Sequence, residues 1–189
     1  MVETVDNLAN KFGFIVSNRL RNEIMQIGSS VYKEMPVLLK GATDLLIQAE
    51  KKYNLLLITR GHKTIQEKKI SYHGLSRYFS QIFIVKSKSE KVYEKVMAMA
   101  GVTAADCCSI GDSVKSDILP CLALGTKAIL FQYVHPYYTW TQEHSIKIEY
   151  PPFPVVNNLE EIMQKLELLE QVFIPPVPPF SDNNFVPRN

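Results

Sequence analysis

Four residues of this 189-residue chain are of types that can hold or neutralise an anionic group, and each stands at or just past an apolar run. Thr59 closes LLLITRG, where a hydroxyl and the backbone N–H groups of a glycine turn either hold a phosphate oxygen or merely set the turn. Lys88 follows QIFIV in VKSKSEKVY, as a solvated surface lysine or as a point charge aimed at a ligand. Asp112 and Asp117 lie five residues apart in SIGDSVKSD. The glycine before Asp112 permits a tight turn, and Asp117 falls at the start of the next helix. Two carboxylates brought together in this way suit Mg²⁺, which takes one or two of them and keeps several waters. The alternative is that Ser116 or Asp117 caps the helix. Hydroxyl, lysine and paired carboxylate at successive strand ends make a set for neutralising a phosphoryl group.

The elements that position this set alternate. Residues 17–33 space Leu20, Ile24, Met25, Ile27 and Val31 roughly as a helix does, behind Ser17 or Asn18 as N-cap, and 40–52 read as a second helix. YNLLLITRG is a short continuous apolar run, the pattern of a strand buried on both faces of a parallel sheet. HKTIQEKKISYHG reads as helix, QIFIV at 81–85 as strand, and SEKVYEKVMAMAG as helix with Gly101 at its C-terminal cap. CCSIGD at 107–112 is a strand entering a loop, SDILPCLALG a short helix, TKAILFQY a strand, and 159–169 a last helix. Repeated strand–helix units predict an α/β fold with a mostly parallel sheet, which binds ligands at the carboxyl ends of its strands.

Composition bounds the function. Apolar residues make up 46% and charged ones 21%, the balance of a folded soluble domain. A net charge of +2 without charge blocks predicts no nucleic-acid partner, and no apolar run reaches the length of a membrane helix. The opening MVETVDNLANKFGF has no basic start and apolar core of a secretory signal, and three cysteines, at 107, 108 and 121, predict reduced thiols and a cytoplasmic protein. Neither CxxC nor HExxH occurs, so zinc is not indicated. From Ile174 the chain reads IPPVPPFSDNNFVPRN, which predicts an extended Pro-rich flexible tail over 171–189. Trp140 and the tyrosines of HPYYTW either line a pocket or form an amphipathic belt.

The ordered segments LLLITRG, KSEKVYEKVMAMAG and SIGDSVKSDILPCLALGTKAILF resemble the phosphatase branch of the haloacid dehalogenase-like (HAD) hydrolase superfamily. The likeness runs from about Pro36 to Leu169 and implies a Rossmann-like three-layer core over 36–170, with 1–35 as part of a helical cap. It implies that Thr59 and Lys88 bind the phosphoryl oxygens, with Lys86 as a competitor for the lysine role. It also implies that Asp112, and Asp117 beside it, hold Mg²⁺, and that the substrate is a small phosphorylated metabolite.

The resemblance further implies a nucleophilic Asp and a second Asp two residues later, at the end of a first strand. No two Asp residues here, at 6, 44, 106, 112, 117 and 182, have that spacing. In the family that strand lies between those ending in Thr59 and Asp112, so its lack would leave facing edges with unpaired backbone groups. Either FGFIVSN at 12–18 substitutes, or a protein partner or second copy supplies the strand, or a truncated or split gene leaves it out of this sequence. Two functions follow: a Mg²⁺-dependent phosphohydrolase incomplete as this chain, or a catalytically dead HAD-like binding or interaction module.

Overall fold

The computed structural model describes residues 2–30, 35–133 and 153–171. It is an α/β structure in which every strand pairing is parallel. Helices α1 (Val2–Phe12) and α2 (Asn18–Ser30) precede the alternating part. There follow α3 (Ala42–Ala49), β1 (Leu56–Arg60), α4 (Lys63–Tyr72), β2 (Gln81–Val85), α5 (Glu90–Ala100) and β3 (Cys108–Gly111). A π-helical turn (Val114–Ile118) then runs into α6 (Leu119–Ala123), and β4 (Lys127–Phe131), β5 (Val155–Val156) and α7 (Glu160–Gln171) complete the order. Gly101 ends α5 in the left-handed region at φ 69°, where a side chain would be strained, as the sequence reading expects of a helix C-cap.

The strands form two sheets. β1 pairs with β2, placing Thr59 opposite Ile84, and β3–β4–β5 form the second sheet, with Gly111 opposite Leu130. Among the described residues β1 and β3 do not pair with each other, so each has one open edge.

Both sheets nevertheless occupy one layer. In β4, Ala128 and Leu130 face a cluster with Val114, Ile118 and Leu122, whereas Ile129 faces Ile162, Leu166 and Leu169 of α7. That alternation is the period-2 pattern of a strand covered on both sides. On the α7 side the cluster also takes Leu45 of α3, Tyr53 just before β1, and Cys108 of β3. On the other side α5 packs against both β2 and α6. Helices on each face therefore hold the β1–β2 and β3–β4–β5 sheets side by side.

Residues 12–18 do not fill the opening. Gly13 turns the chain at φ 70°, residues 14–17 are in no strand, and Asn18 already begins α2. Phe14 and Ile15 are 69% and 99% exposed, so this segment is no substitute for a core strand. A Gly at the turn and an Asn and Ser suited to opening a helix favour the helical hairpin that forms instead. It is fastened by an Arg21–Asp6 ion pair. HPYYTW and the Pro-rich tail from residue 172 onward lie outside the described residues, while Gln171 is the last residue of α7.

Candidate active site

Thr59, Lys88, Asp112 and Asp117 all sit at carboxyl ends of parallel strands or in the segments leaving them. The closest contact within the set joins the two sheets. Lys88 Nζ, in the loop after β2, donates to Asp117 Oδ1, in the turn after β3, at 2.6 Å. Their side chains are 18% and 6% exposed, so the pair is largely shielded from water and holds each partner more firmly than a surface ion pair does. Lys86, the competing lysine, is exposed and makes no such pair among the described residues.

Asp117 is engaged on both oxygens. Oδ2 accepts the Ser113 backbone N–H at 3.0 Å, while Ser113 Oγ accepts the Ser116 N–H at 3.2 Å. This is a reciprocal cap at the head of the turn, related to the capping box, and Ser113 is its N-cap. The sequence reading placed the cap on Ser116 or Asp117; Asp117 does close it, and Ser116 is the donor instead. Ser109 Oγ donates to the Asp117 carbonyl at 2.8 Å, tying the turn back to β3.

The π-helical form of this turn has a chemical cause. Pro120 has no N–H, so the Ser116 carbonyl, its partner in an ordinary helix, is left free. The Leu119 N–H closes on Val114, one residue further back, and the Tyr93 hydroxyl of α5 supplies the Ser116 carbonyl at 3.1 Å. The same hydroxyl lies 3.4 Å from Asp117 Oδ1. Burial foremost, with Cys121 and Asp117 adding to it, raises the Tyr93 pKa far above the usual phenol range, so the hydroxyl stays protonated and able to donate. Gly111 leaves room for this packing: a Cβ there would lie 2.5 Å from the Asp117 side chain.

Thr59 stands apart from that network. Gln66 Nε2 donates to Thr59 Oγ1 at 2.9 Å and to the Arg60 carbonyl at 2.7 Å. With its oxygen accepting from Gln66, the Thr59 hydroxyl keeps its own proton for an acceptor beyond the strand end. Among the described residues no hydrogen bond joins Thr59 to Lys88, Asp112 or Asp117. Asp112 is exposed and has no hydrogen-bond or ion-pair partner among them.

The fit to Mg²⁺ can be judged from these donors. No group of three His, Cys, Asp or Glu side chains converges among the described residues. Asp117 is occupied by Lys88 and Ser113, which leaves Asp112 as the free carboxylate of the two. One such donor does not by itself make a Mg²⁺ site. Cysteine chemistry is equally unsupported. Burial pushes the Cys108 thiol up to about 12 and that of Cys121 to about 11, and raises Cys107, so thiolate is scarce near neutrality.

Gln66, Tyr93 and Ser113 were missed by sequence reasoning. Ser113 was accessible as a serine just ahead of a helix, and Tyr93 as a hydroxyl on an apolar helix face; Gln66 carries no local signal. Comparison with known proteins agrees with the fold. The haloacid dehalogenase-like hydrolase family matches residues 3–131. Mouse N-acylneuraminate-9-phosphatase is 28% identical over 120 residues, covering 61% of this chain and 48% of that protein. The human protein of the same name is 24% identical over 124 residues, covering 63% and 50%. The chain thus spans about half the length of these curated relatives. A haloacid dehalogenase-like family hydrolase from Xanthomonas campestris superposes with a TM-score of 0.74 at 23% identity, over 88% of this chain and 70% of that one. The HAD-hydrolase YfnB from Bacillus subtilis, whose structure was solved bound to magnesium, gives 0.58 at 18% identity, over 86% and 79%. No helix among the described residues is long and apolar enough to cross a membrane. With more than half of its residues matched and the same α/β arrangement, the chain belongs to the haloacid dehalogenase-like hydrolase family.

Proposed function

We propose that this chain is the larger part of a phosphohydrolase core that acts on a small phosphorylated metabolite, and that it needs an added Asp-bearing strand to turn over. The observation that carries this reading is the Lys88–Asp117 pair, which fixes a cation at the carboxyl ends of two sheets, with the unpaired carboxylate of Asp112 in the turn after β3. Lys88 binds a phosphoryl oxygen while Asp117, Ser113 and Tyr93 hold the lysine and its loop in place. Thr59, oriented by Gln66, donates its hydroxyl to a second oxygen. Positioned cation and donor stabilise the charge spread over a phosphoryl group in transfer. Asp112, rather than Asp117, is the carboxylate left for Mg²⁺, whose part would be to neutralise the phosphoryl oxygens. Nucleophilic attack falls to an aspartate that the described residues do not provide. The chain alone is therefore expected to hydrolyse little or nothing.

The test is a phosphate-release assay with Mg²⁺ on the chain alone and on a version extended at its N-terminus by an apolar strand ending in Asp-x-Asp. The substrates begin with N-acylneuraminate 9-phosphate, the compound in the relatives' name. Activity is expected only in the extended protein. The substitution Asp112→Asn in that protein raises the Mg²⁺ requirement about 10- to 100-fold, the range for weakening a metal's ligand environment. No turnover by the extended protein, together with binding of a phosphorylated ligand, would favour the binding-module alternative.

A further inference from the structure

Charge is sorted by helix on one face of the molecule, and we propose that this face docks on the same face of a second copy of the chain, about a two-fold axis parallel to α3. The crossovers identify the face. Tyr53 beside β1 clusters with Cys108 of β3, so the step from β1 to β2 runs across the layer opposite to the step from β3 to β4. Right-handed crossovers then put α4 and α6 on opposite sides. Leu122 of α6 lies in the Val114 cluster, which leaves α4 on the side of α3 and α7. On that side α4 exposes Lys63 and Lys68 against Glu67, whereas α7 exposes Glu160, Glu167 and Glu170 and no cation. Between them α3 exposes only Asp44 and Gln48. On the other side α5 exposes Glu90, Lys91, Glu94 and Lys95 in balance, so the sorting belongs to one face alone.

Geometry selects the second copy. Both α4 and α7 start beyond the carboxyl end of a strand and run back along the layer, so they are parallel and at similar depth. A two-fold axis along α3 sets α4 of each copy over α7 of the other, and the contact closes on itself. Basic helix then meets acidic helix twice, which fixes the register. An axis across the helices would instead stack α7 on α7, with like charges opposed. The favoured rotation also brings Tyr72, the last residue of α4, to Leu168 in the last turn of α7, and these are 66% and 48% exposed. Within one copy Lys63 meets Glu67 and Lys52 meets Glu167, but both pairs are exposed, hold weakly and exchange partners at little cost. Three helices of about three turns make a small interface, so the dimer is weak and salt-sensitive. The proposal stands without the phosphohydrolase reading.

The experiment follows the whole chain by sedimentation velocity over a concentration series at about 0.1 M and about 1 M salt, where the Debye length falls from about 10 to 3 Å. A monomer–dimer equilibrium is expected, weaker by about tenfold or more at the higher salt. Two charge-reversed variants follow, Lys63→Glu with Lys68→Glu, and Glu160→Lys with Glu170→Lys. Each alone is expected to dimerise about tenfold more weakly or worse, while their equimolar mixture returns to the strength of the unaltered chain as a heterodimer. Carbodiimide cross-linking of mixed isotope-labelled and unlabelled chain tests the face without any substitution, and is expected to join α4 lysines of one copy to α7 glutamates of the other. A chain that stays monomeric throughout overturns the proposal and leaves the face to solvent or to another partner. So do a dimer indifferent to salt and to both reversals, a mixture no stronger than either variant, intermolecular cross-links that avoid α4 and α7, or growth beyond two copies.

Discussion

Lys88 Nζ lies 2.6 Å from Asp117 Oδ1, and this one contact links the loop leaving the β1–β2 sheet to the turn leaving the β3–β4–β5 sheet. Neither loop otherwise has a reason in its own sequence to stay near the other. Removing the carboxylate leaves an ammonium group in a shielded position without its partner. Asp117→Ala is therefore expected to cost about 3–5 kcal/mol, measured by urea unfolding. Lys88→Met should cost less, because the Ser113 backbone N–H remains as a donor to the carboxylate.

Gly111 is required by contact and not by backbone conformation, since its φ is not positive. An added Cβ would meet the Cβ, Cγ and Oδ2 of Asp117 at 2.5 Å. Gly111→Ala is expected to destabilise the protein by about 1–3 kcal/mol, as overpacking does. Thermal melting checks the loss, and hydrogen exchange should show the turn after β3 loosening first.

Tyr93 and Pro120 form a pair in which one residue repairs what the other omits. Tyr93→Phe leaves the Ser116 carbonyl unsatisfied and should cost about 1–3 kcal/mol. Pro120→Ala returns an N–H that can reach that carbonyl. In the Pro120→Ala background the same tyrosine substitution is expected to cost measurably less, and additive costs in a double-mutant cycle would refute the pairing.

Alkaline pH should weaken the fold through its thiols. Burial raises Cys108 to about 12 and Cys121 to about 11 from an ordinary value near 9. Above pH 9 the unfolded chain loses these protons while the folded one keeps them, so the unfolded state binds fewer protons and stability falls as pH rises. The contribution is intact below pH 9 and is lost progressively between about 9 and 12. Melting temperature is expected to drop across that interval, and the drop to shrink in a Cys108→Ala, Cys121→Ala variant.

How much was legible varied with how local the cause was. QIFIV was read as a strand at 81–85 and forms one over those residues, because a bounded apolar run of β-formers needs no distant information. The last helix and the Gly101 cap were legible for the same reason. β5, two residues long, has no periodicity to detect and exists because Val155 and Val156 lie beside Leu130 and Phe131. SIGDSVKSD showed two carboxylates but not their division of labour, since a capping and a metal-holding Asp look alike in one dimension.

The sequence by itself determined the strands at 56–60, 81–85, 108–111 and 127–131 and the helices between them, and that Thr59, Lys88, Asp112 and Asp117 fall at or just past the carboxyl ends of β-strands. Those outcomes depend on hydrophobic periodicity and on glycine and proline, which act over a few neighbouring residues. Tertiary structure alone decided that Asp117 serves Lys88 and the Ser113 cap, that Asp112 stays free, and that β1 and β3 remain apart within one layer. Each of these is settled by residues far apart in the chain competing for the same hydrogen bonds, and such a competition has no trace until the chain is folded.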